Sequence, residues 1–137
     1  MVSGSTTVRV RYAETDKMGI VYHANFFVWF EIGRTELVRQ RGIPYSTLEQ
    51  AEDRHIVVAN ATCTYRAPAR YDDLLTIRTT LSEWPTDHRL RFRQEVFNAD
   101  GKLLTVGDVL LYFLRSATME RTPMPKEMAE KLKPFFT

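Results

Sequence analysis

One short stretch of the chain combines a carboxylate with the start of a helix, which together could attack and stabilise a carbonyl group. Asp16 stands seven residues before His23, and Gly19 lies between them, where a turn can reverse the chain. If the chain folds back there, the carboxylate comes close to the first free N–H groups of the following helix. Those donors can hold a developing oxyanion, and Asp16 can act as a general base on water or as a nucleophile. The pattern predicts an acyl-transfer site without serine or cysteine.

Each of these residues also has a purely structural interpretation. An aspartate ahead of a helix is commonly a capping or turn residue, and His23 or Asn25 would serve as the helix N-cap. Tyr22 would be a half-buried aromatic residue whose hydroxyl meets water. Glu14 would be solvated or ion-paired. From spacing alone, the catalytic and the structural roles of Asp16 both stay open.

The sequence contains none of the common signatures of nucleotide, serine-hydrolase or zinc sites. GxGxxG, Walker A, GxSxG, HExxH and CxxC are all absent. The single cysteine, Cys63, lies in an alternating run, which indicates a small core residue in a reducing compartment. We therefore expect no metal and no redox cofactor.

Composition indicates one ordinary globular domain spanning residues 1–137. The chain has 137 residues, 44% of them hydrophobic and 26% charged. This length is enough to bury a hydrophobic core without disulfides or a structural metal. The net charge is +2 with scattered basic residues, so no nucleic-acid partner is expected. The N-terminus lacks signal-peptide features, and the longest apolar run, residues 109–114, is too short to span a bilayer. We expect a cytoplasmic protein without membrane insertion.

The longest helical pattern directly follows the candidate site. From about Ala24 the apolar residues recur every three or four positions, which predicts an amphipathic helix of about four to five turns. Gly42 sits where a left-handed residue commonly ends a helix, and Pro44 would prevent continuation. Gly33 within the helix costs about 1 kcal/mol relative to Ala. It therefore indicates the close approach of a neighbour, for which a sheet face is the natural candidate.

Five segments have the alternation or the apolar runs of β-strands. They span residues 6–12, 55–66, 74–83, 89–98 and 102–115. Residues 98–101, Asn-Ala-Asp-Gly, predict a hairpin turn. A loop or short helix is expected at residues 45–52 and a short helix at residues 126–133. Residues 89–97 place their charges on one face, whereas residues 103–114 are apolar on both faces, as is typical of a central strand.

This order of elements predicts the fold class. One strand, one long helix and four strands joined by short turns cannot be doubly wound, because parallel crossovers need intervening helices. We predict an α+β fold in which an antiparallel sheet of about five strands wraps one long central helix. Its exposed edges favour pairing with a second copy of the chain.

The stretch from Asp16 to Phe26 resembles the signature of hotdog-fold acyl-CoA thioesterases of the 4-hydroxybenzoyl-CoA and YbgC-like group. It reads Asp-Lys-Met-Gly-Ile-Val-Tyr-His-Ala-Asn-Phe, and further similarity lies in residues 30–36, 67–77 and 83–84. The resemblance covers nearly the whole chain in order. It implies the hotdog fold, in which a curled antiparallel sheet surrounds a long helix, and assembly into a homodimer or homotetramer.

The resemblance also implies roles for individual residues. Asp16 matches the catalytic carboxylate of the family, described as a nucleophile or a general base. His23 falls where the backbone N–H at the helix start polarises the thioester carbonyl. Tyr22 and Asn25 match motif positions near the site. No cofactor is implied, because CoA is part of the substrate.

One departure concerns the phosphates of CoA. Where the 4-hydroxybenzoyl-CoA enzyme has a basic triplet after its Glu-Trp pair, this chain has Pro-Thr-Asp at residues 85–87. The candidate replacements are Arg66, Arg70, Arg89, Arg91 and Lys102, each of which can also be read as a solvated surface residue. The departure leaves 4-hydroxybenzoyl, other aromatic and short-chain acyl groups equally open.

The sequence thus predicts a thioester hydrolase that acts on a short-chain or aromatic acyl-CoA, or on an acyl-carrier-protein thioester. Two alternatives belong to other classes. One is a non-catalytic hotdog protein that binds acyl-CoA, an acyl carrier protein or a partner in envelope or lipid machinery. The other is a hotdog dehydratase acting on an enoyl-CoA. Retention of Asp16 favours the hydrolase over the binding protein. The hotdog dehydratases usually carry a histidine and an acid in a different arrangement.

Overall fold

A five-stranded antiparallel sheet packs against one long helix in the computed structural model, which describes residues 1–43 and 53–136. The strands are β1 (Val2–Arg9), β2 (Arg54–Tyr65), β3 (Leu74–Leu81), β4 (Arg89–Phe97) and β5 (Leu103–Arg115). Their spatial order is β1-β3-β4-β5-β2. The predicted α+β architecture is therefore confirmed. Pro44 and the expected loop or short helix at residues 45–52 lie outside the described residues.

The long helix α1 (Asn25–Gln40) has the predicted position and ends as predicted. Gly42 has a positive φ of 84°, and its N–H donates to the Arg39 carbonyl at 2.8 Å. The N–H of Ile43 donates to the Val38 carbonyl at 3.1 Å, which completes a Schellman motif. The second helix, α2 (Lys126–Leu132), is also where the sequence predicts it. Across residues 1–43 and 53–136, no helix combines the length and apolar character needed to cross a membrane.

The start of α1 differs from the prediction. The N-cap position is Ala24, and no side chain caps the helix there. Asn25 is already the first helical residue, and its Nδ2 donates to the backbone carbonyl of Glu14 at 2.8 Å. The prediction that His23 or Asn25 caps the helix was therefore wrong, because Asn25 instead ties the helix to the segment before it.

The first strand also differs from the prediction, since it spans Val2–Arg9 rather than residues 6–12. Its register pairs Val2 with Leu81 and Arg9 with Leu74. The Ser-Gly-Ser segment at residues 3–5 has poor strand propensity, but pairing with β3 overrides it. The strand stops before a 3-10 turn at Tyr12–Glu14, which breaks the alternation.

Gly33 marks the closest approach of α1 to the sheet, on the face that we call the inner face. A Cβ at Gly33 would lie 2.5 Å from Oγ1 of Thr79 and 2.9 Å from Cγ2 of Ile77. Both neighbours are fully buried on β3. The predicted close approach to a sheet face is confirmed, and it sets the depth at which the helix sits.

Replacing Gly33 with Ala is expected to destabilise the protein. Overpacking costs about 1–3 kcal/mol, which outweighs a gain of about 1 kcal/mol in helix propensity. Urea denaturation measures the free energy of unfolding, and Glu31→Ala on an exposed position of α1 serves as the control. A Gly33→Ala variant as stable as the wild type would contradict the packing argument.

Two exposed features are relevant to the predicted homodimer or homotetramer, which stays a prediction. β2 is an edge strand twelve residues long, and its Val58 is 53% exposed. α1 exposes the apolar side chains of Phe27, Val28 and Ile32. An unpaired edge and an exposed apolar stripe are surfaces that a second copy could cover.

Candidate active site

Asp16 lies in a tight hairpin, formed by residues 14–22, that leads into α1. Its N–H donates to the Ile20 carbonyl at 2.8 Å, and the Gly19 N–H donates to the Asp16 carbonyl at 3.0 Å. Gly19 has a φ of 79°, so the predicted reversal at this glycine is confirmed. Oδ1 of Asp16 accepts the Met18 N–H at 2.8 Å. Oδ2 accepts no hydrogen bond from the described residues, so it is available to a water molecule or a substrate.

Glu14 anchors this hairpin, a role that its sequence context does not reveal. Its backbone carbonyl accepts the Tyr22 N–H at 2.9 Å and Nδ2 of Asn25 at 2.8 Å. The residue is 8% exposed, and its carboxylate accepts the Arg11 N–H at 2.8 Å and the Trp29 indole N–H at 3.3 Å. The only sequence signal was the spacing of three residues from Arg11, which predicts no more than an ion pair.

The hydrogen bonds to Glu14 outweigh the effect of its burial on ionisation. Burial raises the pKa of Glu14, but the hydrogen bonds and charge of Arg11 and the bond from Trp29 bring it below the ordinary value. The carboxylate is therefore ionised near neutral pH and holds both donors. Its charge fixes the base of the hairpin against α1.

Two N–H groups are free where α1 begins. The N–H groups of Asn25 and Phe26 donate to the carbonyls three residues back, at 3.0 and 3.3 Å. The N–H groups of His23 and Ala24 donate to no acceptor within the described part of the chain. Free donors at a helix start carry partial positive charge. They can therefore hold the oxyanion that the sequence predicts at this position.

A mostly apolar cavity of about 350 Å³ opens beside the helix start, and we call it the His23 cavity. The hairpin forms one wall, because the Val21 N–H donates to the Ala69 carbonyl at 2.8 Å. The complete lining is Ile20, Val21, His23, Phe26, Tyr65, Arg66, Ala67, Pro68 and Ala69. Its size is within the range of small-molecule sites.

The His23 side chain packs against aromatic rings. Its ring centroid lies 4.5 Å from that of Tyr22 and 6.1 Å from that of Tyr65. Among residues 1–43 and 53–136, no hydrogen bond joins His23 to Asp16. The geometry thus supports a main-chain role for His23 rather than a role as a base paired with Asp16.

The candidate arginines fall into two groups. Arg66 lines the His23 cavity, and Arg70 pairs across a β-bridge with Ile20 of the hairpin. Arg89 and Arg91 instead lie on the outer face of β4, the face away from α1. The guanidinium of Arg89 is engaged by Asp87, with Nη2 and Nε at 2.7 and 3.1 Å from Oδ2.

The outer face carries a second, larger cleft of about 510 Å³, between residues 82–87 and strands β4 and β5. Arg89, Arg91 and Arg93 line it, but no residue of the Asp16 hairpin or of α1 does. We place the candidate site at the smaller cavity, because only that cavity adjoins the free N–H groups. Lys102 lines neither space and follows the turn at residues 98–101.

Within the described residues, no group of three or more His, Cys, Asp or Glu side chains is arranged to hold a metal ion. Cys63 is partly buried and packs against the core, on the inner face of β2. Burial raises the pKa of its thiol despite a hydrogen bond with Tyr65, which acts in the opposite direction. The thiol is thus a core group, as its alternating context predicts.

Comparisons with known proteins identify the family of the chain. The sequence matches the thioesterase-like superfamily over residues 10–132. A relative from Escherichia coli O6:H1, named acyl-CoA thioester hydrolase YbgC, is 36% identical over 126 residues, which are 92% of each chain. A relative from Bacillus subtilis, named putative acyl-CoA thioesterase YneP, is 36% identical over 96 residues, covering 70% of this chain and 68% of the relative.

A solved structure supports the same assignment. The crystal structure of a DHNA-CoA thioesterase from Staphylococcus aureus matches with a TM-score of 0.86 and 26% identity, covering 99% of this chain and 94% of the other. The resemblance noted in the sequence and the predicted hotdog fold are both confirmed. On sequence and structure alike, the chain belongs to the thioesterase-like superfamily.

Proposed function

We propose that this protein is an acyl-CoA thioesterase that hydrolyses a short-chain or aromatic acyl-CoA to CoA and a free acid. The class, a thioester hydrolase, follows from the family and from the named activity of the relatives. One observation carries the proposal for this chain. The N–H groups of His23 and Ala24 are free at the start of α1, His23 lines an apolar cavity, and the hairpin that forms a wall of this cavity holds Asp16.

In the proposed reaction, the thioester carbonyl oxygen accepts hydrogen bonds from the N–H groups of His23 and Ala24. Asp16 removes a proton from water as the water attacks the carbonyl carbon, or attacks the carbon itself. The tetrahedral intermediate then loses the CoA thiolate, which takes up a proton. In the nucleophilic route this leaves an anhydride between the acyl group and Asp16, and water then cleaves the anhydride to release the acid and restore the carboxylate. A single turnover in ¹⁸O-labelled water tests the nucleophilic route, because Asp16 acquires the label only when water attacks the aspartyl carbon of an anhydride formed with it.

The His23 cavity favours small or flat acyl groups. Its volume of about 350 Å³ is near the lower end of the range for ligand sites. The rings of Phe26 and Tyr65 line it and lie 5.6 Å apart, centroid to centroid. Such walls suit a short alkyl chain or a single aromatic ring, whereas a long acyl chain would exceed the space.

Thiol release across a panel of thioesters tests the proposed function. The panel contains acetyl-, butyryl-, hexanoyl-, palmitoyl-, benzoyl- and 4-hydroxybenzoyl-CoA, with matching acyl-carrier-protein thioesters. We expect the highest kcat/KM for short or aromatic acyl-CoA and the lowest for palmitoyl-CoA. Binding without thiol release would instead identify a binding protein, and hydration of an enoyl-CoA would identify a dehydratase.

Of the candidate arginines, we propose that Arg66 contacts a phosphate of CoA, because its exposed side chain borders the His23 cavity, from which the pantetheine arm of the substrate must extend into solvent. Replacing it with Ala is expected to raise KM for acyl-CoA about tenfold and to leave kcat unchanged, since a charge-assisted hydrogen bond is lost. An acyl-N-acetylcysteamine thioester, which lacks the phosphates, should show no change. Arg91→Ala is the matched control. A rise in KM for Arg91→Ala with no rise for Arg66→Ala would show that the phosphates bind at the outer cleft and not near Arg66.

A further inference from the structure

Tyr65 connects the end of β2 to the start of α1 by a single hydrogen bond. Its hydroxyl donates to the backbone carbonyl of His23 at 3.0 Å, across 42 residues of sequence. Its ring packs edge-on against Phe26 and His23, with centroids at 5.6 and 6.1 Å. The side chain, which is 45% exposed, thus places its polar end on the main chain of the helix start.

The peptide unit that accepts this bond also contains one of the two free donors. A peptide unit is planar, so the carbonyl of His23 and the N–H of Ala24 share one plane and point in opposite directions. Fixing the carbonyl consequently fixes the direction of that N–H. The only other donor to this carbonyl in the described residues is the Phe26 N–H, at a longer 3.3 Å.

The preceding peptide unit, in contrast, is held by the helix itself. Its carbonyl, that of Tyr22, accepts the Asn25 N–H at 3.0 Å, and its N–H is that of His23. The two free donors thus have different supports. The N–H of His23 is oriented by local helix geometry, whereas the N–H of Ala24 depends on a side chain from the far edge of the sheet.

We propose that Tyr65 is a positioning residue for thioester hydrolysis: its hydroxyl orients the His23–Ala24 peptide so that the Ala24 N–H is directed at the oxyanion. A hydrogen bond to the carbonyl also polarises the peptide and strengthens its N–H as a donor. The proposal rests on the proposed thioesterase function. It assigns to Tyr65 no contact with the reacting atoms.

The ionisation of Tyr65 suits this role. Burial and the neighbouring Cys63 thiol raise the pKa of Tyr65 to about 12. The phenol therefore keeps its proton over the whole pH range in which the protein would be assayed. A deprotonated phenol could not donate to the carbonyl, and neither the ordinary pKa of 10 nor the raised value would permit deprotonation near neutral pH.

Tyr65→Phe removes the hydroxyl and keeps the ring that lines the cavity. We expect kcat to fall about threefold to tenfold, the usual effect of losing one neutral hydrogen bond. KM and the melting temperature should stay close to their wild-type values, because the apolar wall is intact. Tyr112→Phe is the matched control, since Tyr112 lies on the outer face of β5 against His88 and Arg121.

A spectroscopic measurement reports the hydrogen bond directly. His23–Ala24 is the only His-Ala pair in the sequence, so labelling with ¹³C′-His and ¹⁵N-Ala gives one HNCO cross-peak. Loss of the bond should shift the His23 ¹³C′ resonance upfield in Tyr65→Phe and not in Tyr112→Phe. The proposal predicts that this shift accompanies the loss in kcat.

Three results would overturn the proposal. They are an unchanged kcat in Tyr65→Phe, an unchanged ¹³C′ resonance, or a loss that falls on KM alone. Failure of the proposed function has a different signature, because the wild-type protein itself would then release no thiol from any thioester of the panel. An active wild type with an equally active Tyr65→Phe variant would reject the positioning role alone.

Discussion

Asp16→Asn is expected to reduce thiol release by about 10²–10⁴-fold, the usual contribution of a general base. The substitution removes the charge and the basicity of the side chain but retains an oxygen that can accept the Met18 N–H. In the wild-type protein, Met18 N lies 2.8 Å from Oδ1 of Asp16. The hairpin should therefore keep its conformation. Steady-state assays on the most active thioester measure the loss, and calorimetric titration should show that binding persists.

Asp100→Asn is the control for this substitution. Asp100 is also a turn aspartate, but it lies in the hairpin at residues 98–101, where its N–H donates to Oδ1 of Asn98 at 3.0 Å. Its replacement should leave turnover unchanged. If Asp16→Asn turned over nearly as fast as the wild type, Asp16 would be a turn residue only, and the proposed mechanism would be wrong.

Glu14→Ala is expected to destabilise the protein by about 1–3 kcal/mol, because it leaves one buried and one partly buried donor without an acceptor. The donors are the N–H of Arg11 and the indole N–H of Trp29, a residue that is 2% exposed. Activity should fall as well, since the same residue holds the base of the Asp16 hairpin. Denaturant unfolding and thiol release measure the two effects.

The contribution of Glu14 should also depend on pH. Its pKa is lower in the folded protein than the ordinary value of 4.5, so its stabilisation is fully present above pH 4.5. The stabilisation is lost as the pH falls below 4.5 and through the lowered pKa. The difference in unfolding free energy between wild type and Glu14→Ala should thus be constant near neutral pH and shrink in acid.

Glu127→Ala provides the comparison, because Glu127 forms an exposed pair with Lys131 on α2. Exposed pairs of this kind contribute about 0.3–0.5 kcal/mol. A Glu14→Ala variant no less stable than Glu127→Ala would show that the buried carboxylate does not anchor the hairpin. A difference that persists unchanged in acid would show that its ionisation is irrelevant.

Some failures of sequence reasoning have clear physical causes. The segment at residues 3–5 has poor strand propensity, yet it lies in β1, since pairing with β3 decides its conformation. Asn25 has the chemistry of an N-cap, yet its side chain bonds to Glu14. In both cases a partner distant in sequence overrides the local preference.

The sequence also could not show whether each candidate arginine lies on the sheet face that meets α1 or on the opposite face. The alternation in β4 predicts one wet face, and Arg89 and Arg91 do lie on such a face. Which face meets α1 depends on the packing of the helix, and the helix lies on the other side. Arg66 follows the last residue of β2, and only the tertiary structure shows that it lines the same cavity as His23.

The sequence by itself determined the features that depend on neighbouring residues. The periodicity of apolar residues predicted the positions of α1 and of four of the five strands. Gly42 predicted the end of the helix, and Gly19 predicted the reversal of the chain. The spacing of Asp16 and His23 identified the candidate site. Tertiary structure alone decided how that site is held. The burial of Glu14 and the reach of Tyr65 to His23 join residues that only sheet order and helix packing bring together. Such contacts leave no periodic pattern in the sequence, because the residues next to each partner are typical of an ordinary surface or strand position.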